Sequence, residues 1–492
     1  MSDVRLVAIR AFLSNVLLTI AALAATLPTS SLSAAMIIVT STQDALSDSG
    51  LCTLREAVIA ANTNAPSGST PGECVSGSSM TPDTIILPAG TLGLSLAGAE
   101  SDFSTNAAVG DLDITQSLNI QGQGMSLTTV TAAGLGARAF HVDGAAVVAG
   151  FVDIRISGGV SATGNGGGIF LEDGISMNLT RVSLSGNQAA EGGGTWATST
   201  ANVVVTDSVL STNVASDGGG GGINWSGCFA CPNTLSIANS RIEGNQALGI
   251  FPGGGGILVS GGVFNLSGST IAENHADGDG EGIWMGDAAF SATGSTIYDN
   301  DTDGDGGGIW FDFPSTSEMD NCTLSGNSAN GAGGGVAILS NEPVTLKHCT
   351  VAANTAANGS AIGDGDQITL ANSIVSGTCA GSPVTTLGGN IESPGDNCGV
   401  HGTGDLFAVP AGQLALAPLD DNGGIRLTHL PGPSSVAINA ARAVHCLSTD
   451  QRGLERPIGS GCDIGSVEVD PDAIFVNGFE TGTTSAWSST VP

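Results

Sequence analysis

The sequence predicts an all-β fold, a right-handed parallel β-helix solenoid with three strands per coil of about 26–27 residues. Two periodic features predict it. A small residue followed by apolar positions ends repeatedly in Asn, as in Ser-Leu-Ser-Gly-Asn187, Thr-Ile-Ala-Glu-Asn274, Thr-Ile-Tyr-Asp-Asn300 and Thr-Leu-Ser-Gly-Asn327. The asparagines Asn187, Asn213, Asn245, Asn274, Asn300, Asn327 and Asn354 mark one period, stretched only at the steps to Asn245 and Asn274 by extra loop residues. Between them a glycine run leads into an apolar segment at Ile169, Ile223, Ile257, Ile283, Ile309 and Val336. Short Val/Ile/Leu/Thr segments bounded by glycine are strands, and a fixed period of this length stacks each strand on its copy one turn later. Each coil then rises about 4.8 Å, glycine serves the turns, and stacked Asn amides bond along the axis.

Composition agrees and excludes other classes. Glycine contributes 75 of 492 residues, aromatics only 4%, and the hydrophobic fraction of 41% suffices for a continuous core. Lys and Arg total 12 against 45 Asp and Glu, a formal charge of −33, and Lys347 is the only lysine. Nucleic acids and anionic membrane surfaces require clustered cations, so both are excluded as partners.

In chain order, residues 1–35 read as a secretory signal: Arg5 and Arg10, an apolar run from Ala11 to Ala25, and Ser33-Ala34-Ala35 as the cleavage site. Residues 36–110 form an N-terminal cap, because a solenoid end must be covered. Within it Leu54, Ala57, Val58 and Ala61 fall at helical spacing and predict a short amphipathic helix. The β-helix proper is expected over 111–380, a disulfide-bearing C-terminal cap over 381–469, and a tail over 470–492. No second apolar run is long enough to span a bilayer, so the mature chain is expected to be exported without a transmembrane span. Ten cysteines follow the signal. Sequence neighbours suggest the bridges Cys52–Cys74, Cys228–Cys231, Cys379–Cys398 and Cys446–Cys462. Cys228 and Cys231 also look like half a zinc site, but the other half is missing. Cys322 and Cys349 share the register of Ser208, Ser240, Ser269 and Ser295, as a disulfide or as two steps of a small-residue ladder.

The segment Leu51-Cys52-Thr53-Leu54-Arg55-Glu56-Ala57 through Asn62 resembles the signature of CSLREA-domain proteins, as do Asp83 to Leu87 and Gly110-Asp111-Leu112-Asp113-Ile114. Asp421-Asn422-Gly423-Gly424, Thr428-His429, Asp450 to Gly453, Arg456-Pro457 and Cys462 to Gly465 resemble the choice-of-anchor Q region. The resemblance implies an exported protein with a pectate-lyase-like β-helix and says little about activity. Within the N-terminal segment the capping role makes Arg55 and Glu56 structural rather than catalytic in expectation.

Candidate chemistry concentrates on one face. Strand alternation turns Ile283 and Ile309 inward and Trp284 and Trp310 outward, one period apart. Phe170 and Trp196 occupy the same register earlier. Exposed aromatic planes beside carboxylates such as Asp312 suit sugar rings; a phase shift of one would make the same residues core. Asp277, Asp279, Asp301, Asp303 and Asp305 lie in adjacent turns. The run from Asp301 imitates the opening of an EF-hand loop, but Trp310 stands where the bidentate Glu is required. A looser Ca²⁺ site and plain solvated turns are the two remaining readings. Arg138, Arg155, Arg181, Arg241 and Lys347 do not form the cationic cluster a uronate lyase needs, and adjacent acidic turns offer a glycosidase pair only by proximity. The functional expectation is therefore an exported, adhesin-like or glycan-binding protein whose partner is a polysaccharide or cell-surface glycan. The alternative is a polysaccharide lyase or glycoside hydrolase.

Overall fold

The computed structural model describes residues 34–98, 106–198, 200–226, 232–249, 253–313, 315–339, 342–364 and 367–470. The signal segment through residue 33, Cys228, Cys231 and the tail from 471 lie outside the described residues. The chain is a parallel β-solenoid, with three parallel sheets of ten, eight and 23 strands among the described residues. No helix among the described residues is long and apolar enough to cross a membrane.

Each coil repeats one set of physical solutions. Inward positions of the ten-stranded sheet, among them Ile169, Ile223, Ile257, Ile283, Ile309 and Val336, are fully buried and stack like on like. The next inward column carries Trp225, Met285 and Phe311, and the Trp225 indole donates to Ala201 O at 3.0 Å. The largest sheet is a bent wall in which most coils supply two strands. Between them the backbone turns through a left-handed residue, such as Asp207, Asn239, Asn321, His348 or Asn372, with φ between 49° and 52°. Asn and Asp tolerate that conformation best, and Gly268 and Gly294 take it in two coils. The small residue that follows bonds along the axis: Ser208 N donates to Ser240 Oγ, and Ser240 N to Ser269 Oγ, at 3.1 and 3.2 Å. Cys322 and Cys349 continue this column as buried free thiols.

At the second corner, the asparagines from Asn187 to Asn354 form an unbroken ladder. Each Nδ2 donates to the Oδ1 of the next at 2.8–3.0 Å. The backbone N–H donates to the same oxygen at 2.9–3.2 Å. Buried amides are thereby satisfied without water.

Parallel pairing extends beyond 111–380 at both ends. Met36–Ile38 pairs with Asp83–Ile86, which pairs with Leu118–Gln121, and the far end runs to Ile391–Ser393. The helix Leu54–Thr63 closes the first coil, its N-terminus held by a capping box between Thr53 and Glu56. Arg55 is fully buried, with its Nε 2.6 Å from Asp44 Oδ1 and its Nη atoms donating to Ala107 O and Gly110 O. Disulfides join Cys52–Cys74, Cys379–Cys398 and Cys446–Cys462.

The C-terminal segment is a strap as well as a cap. After an antiparallel pair, Leu416–Asp420 with Thr428–Pro431, it doubles back along the outer face of the large sheet. There an outward column of Thr296, Thr323 and Thr350 is buried beneath it. Thr296 Oγ1 donates to Leu427 O at 2.8 Å, Thr323 Oγ1 to Gln451 Oε1 at 2.6 Å, and Ser466 N to Thr350 Oγ1 at 3.1 Å.

Candidate functional site

The outward side of the ten-stranded sheet carries one continuous column. Ladder pairing runs Asp113, His141, Phe170, Trp196, Asn224, Leu258, Trp284, Trp310, Ala337 and Gly363, one residue per coil. The four aromatic residues singled out in the sequence therefore share a single line, about 4.8 Å apart per step.

Their depth differs from the expected open platform. Phe170 and Trp310 are only 5% and 7% exposed, whereas Trp196 and Trp284 are half-buried. Two effects close the column. The turns entering each strand approach it so closely that a Cβ on Gly280 or Gly306 would lie 2.8 or 2.9 Å from Trp310 Cβ. Side chains from the turns do the rest: the Arg138 guanidinium sits 4.6 Å from the Phe170 ring centre, while Trp196 stacks on Phe170 at 5.0 Å and 24°. Outward does not mean exposed here. The Trp284 indole lies across its own strand at Gly286, where a Cβ would come within 2.4 Å of Cη2.

At the N-terminal end the column becomes polar. His141 Nδ1 is 3.0 Å from Asp113 Oδ1 and Nε2 is 3.7 Å from Glu172 Oε1; Arg138 pairs with Asp111 at 3.3 Å. Burial works against protonating His141, but the Asp113 hydrogen bond and the Asp111 and Asp113 charges outweigh it and raise its pKa. Sequence reasoning missed this histidine. Its signal was the strand Phe140-His141-Val142, in step with Ile169-Phe170-Leu171.

The five turn aspartates do not converge. Asp279 Oδ1 accepts from Asp305 N at 2.9 Å, and Asp305 Oδ1 from Ala332 N at 2.5 Å, each capping a backbone amide one coil on. Asp303 Oδ1 accepts from Asn330 Nδ2 at 2.9 Å, Asp277 Oδ1 pairs with His275 Nε2 at 3.2 Å, and Asp301 Oδ2 lies 3.6 Å from His275 Nδ1. Among the described residues, no three Asp, Glu, His or Cys side chains are grouped to hold a metal ion. Asp279 and Asp305 thus cap backbone amides, while Asp277, Asp301 and Asp303 pair with side chains.

Asp312 behaves differently. Half-buried at the end of the strand Ile309–Asp312, it has an Oδ1 shielded from water and without a hydrogen-bond partner. Burial, then the charges of Asp287 and Asp279, push its carboxyl above the usual range. Asp279 is raised too, by burial and by the charge of Asp305. The site therefore offers two partly exposed indoles three coils apart, Trp196 and Trp284, with the Asp312 carboxylate one coil beyond Trp284, a combination suited to apolar ring faces that carry hydroxyls.

A family model described as "Right handed beta helix region" matches residues 222–398. No protein of curated function matches the sequence. Among solved structures, pectate lyase Pel9A is similar at 14% identity and a TM-score of 0.42, covering 89% of this chain and 98% of that one. The A-module of mannuronan C-5 epimerase AlgE4 from Azotobacter vinelandii is similar at 16% identity and a TM-score of 0.39, covering 67% of this chain and 89% of the other.

Proposed function

We propose that this β-helix is an exported, adhesin-like protein that binds a polysaccharide or cell-surface glycan along the outward column of its ten-stranded sheet. The observation that carries the reading is the partly exposed Trp284 indole with the half-buried Asp312 carboxylate on the next coil, together with the partly exposed Trp196 three coils earlier on the same column. A sugar ring offers one apolar face for the indole and hydroxyl donors for the carboxylate. Three disulfides fit an oxidising compartment, and the terminal motifs resembling CSLREA and choice-of-anchor Q proteins fit export to a surface.

Affinity electrophoresis against neutral and acidic polysaccharides, with and without Ca²⁺, tests it. Trp196→Ala with Trp284→Ala should weaken retention by roughly tenfold, since each aromatic contact contributes about 0.5–1.5 kcal/mol. Unchanged retention would refute the site. A hydrolase or lyase reading has one observation in its favour, the raised pKa of both Asp279 and Asp312; new chain ends appearing in the same incubations would establish it.

A further inference from the structure

Three successive coils leave the ten-stranded sheet at one register. Ser260, Gly286 and Asp312 are ladder partners, and the residues after them, Gly261, Asp287 and Phe313, all have positive φ, of 80°, 52° and 52°. Glycine takes this conformation freely and aspartate tolerates it, but a bulky aromatic residue is disfavoured there. Burial does not compensate, because Phe313 is 60% exposed. The chain thus accepts both a strained backbone and an apolar ring in water at one position.

The surroundings of that ring are specific. Its carbonyl accepts from Asp287 N at 3.1 Å, which ties it to the previous coil. Asp312, immediately before it, is half-buried, with Oδ1 shielded from water and unpartnered. Leu339, 59% exposed, follows one coil on, where its N–H donates to Phe311 O at 2.9 Å. Trp284 lies on the same sheet face, one coil before Trp310. The charges acting on Asp312 are those of Asp287 and Asp279, all of one sign.

We propose that Phe313 and the Asp312 carboxyl form a subsite for one neutral sugar residue at the margin of the tryptophan face, and that this subsite selects uncharged polysaccharides over polyuronates. The inference rests on the glycan-binding reading and adds to it the ligand class and two contact residues. The Phe313 ring covers the C–H face of the sugar, and Asp312 accepts from a hydroxyl. A uronate carboxylate would meet only like charge at this point.

The test compares Phe313→Ala, Phe313→Gly and Asp312→Ala with the parent and with the Trp196/Trp284 double variant. Each is assayed for binding to a neutral glucan, xylan and galactan, and to polygalacturonate and alginate, alongside thermal melting. Both Phe313 variants should bind neutral glycan roughly three- to tenfold more weakly, the worth of one aromatic contact. Phe313→Gly should melt no lower than the parent and higher than Phe313→Ala, because glycine relieves the strain that alanine keeps. That combination separates a ligand contact from a packing residue, whose loss would lower melting in both variants. Asp312→Ala should weaken neutral-glycan binding with little effect on melting.

Preference of the parent for polyuronates would overturn the inference. So would unchanged binding in Phe313→Gly while the tryptophan double variant loses it, and in that case the broader reading stands. If the parent binds none of the glycans, both readings fall.

Discussion

Glu281 breaks a rule that the neighbouring coils obey, and a stability measurement can read out the consequence. The middle residue of the turn entering the ten-stranded sheet is Gly167, Gly193, Gly221, Gly255, Gly307 and Gly334 in other coils. A Cβ at Gly255 would meet His275 O at 2.4 Å, and one at Gly307 would meet Ser328 O at 2.6 Å. At 281 the chain places a glutamate, fully buried, with neither carboxylate oxygen in a well-formed hydrogen bond, so the weak contacts from Thr302 and the Ala276 backbone only partly offset its burial. The adjacent strand changes in step: Thr302 replaces the inward alanines Ala215, Ala247, Ala276 and Ala329, but its hydroxyl donates to Gly278 O at 2.5 Å. Burial, the largest influence, pushes the Glu281 carboxyl well above its usual 4.5, and the Asp301 charge acts in the same direction.

The folded protein therefore holds a proton that the unfolded chain releases. The contribution is complete below the unfolded value near 4.5 and is lost as pH rises towards the folded pKa, at about 1.4 kcal/mol per pH unit. Glu281→Gln keeps the shape and cannot ionise. Urea unfolding of both proteins from pH 4 to 8 should give stability curves that diverge above pH 4.5 with that slope, the variant gaining on the parent. The gap widens with pH until the folded carboxyl itself ionises. The difference between curves cancels the other raised carboxyls, Asp279, Asp312 and Asp463 among them. Parallel curves would show that Glu281 is ionised in the folded state and would refute the reasoning.

Two further outcomes follow from the ladder and the strap. Asn300→Ala removes the acceptor for Asn274 N and Nδ2 and the donor to Asn327 Oδ1, leaving buried groups unpaired; unfolding should show a loss of about 2–5 kcal/mol, and an unchanged midpoint would refute the ladder's role. His348 is buried beneath the strap, where Nδ1 faces Gly465 O at 3.3 Å and Nε2 faces Asn372 Nδ2 at 3.0 Å, an arrangement that fits the neutral ring. Burial and then the Arg456 charge lower its pKa to about 3, so its contribution is complete above 6.5 and is lost at about 1.4 kcal/mol per unit as pH falls towards 3. Hydrogen-exchange protection of Gly465 and Ser466 should drop between pH 7 and 4; equal protection at both would refute the coupling.

The period was legible because every coil repeats the same local demand. An amide that bonds to its own copy, and glycine where two backbones meet, leave a mark at each turn. Register followed from that period, so Trp284 with Trp310 and Phe170 with Trp196 could be paired without a structure. The N-terminal end of the column was hidden. The strands carrying Asp113 and His141 lie before the first recognised glycine run into Ile169, so no repeat signal placed them in register with Phe170.

Burial of the column was not legible at all. Alternation along a strand assigns each side chain to a face, but what covers that face comes from turns such as those carrying Arg138 and Gly280. The aspartate-rich turns resembled a cation loop because the groups that engage Asp279, Asp303 and Asp305 belong to the next coil. The strap pairs Thr296 with Leu427 across 131 residues and Thr323 with Gln451 across 128, contacts with no periodic signature. Period, register within it and like-on-like stacking are repeated local properties and were set by the sequence alone. Exposure, carboxylate satisfaction and the path of the C-terminal segment arise only when distant coils come into contact, so only the tertiary structure decided them.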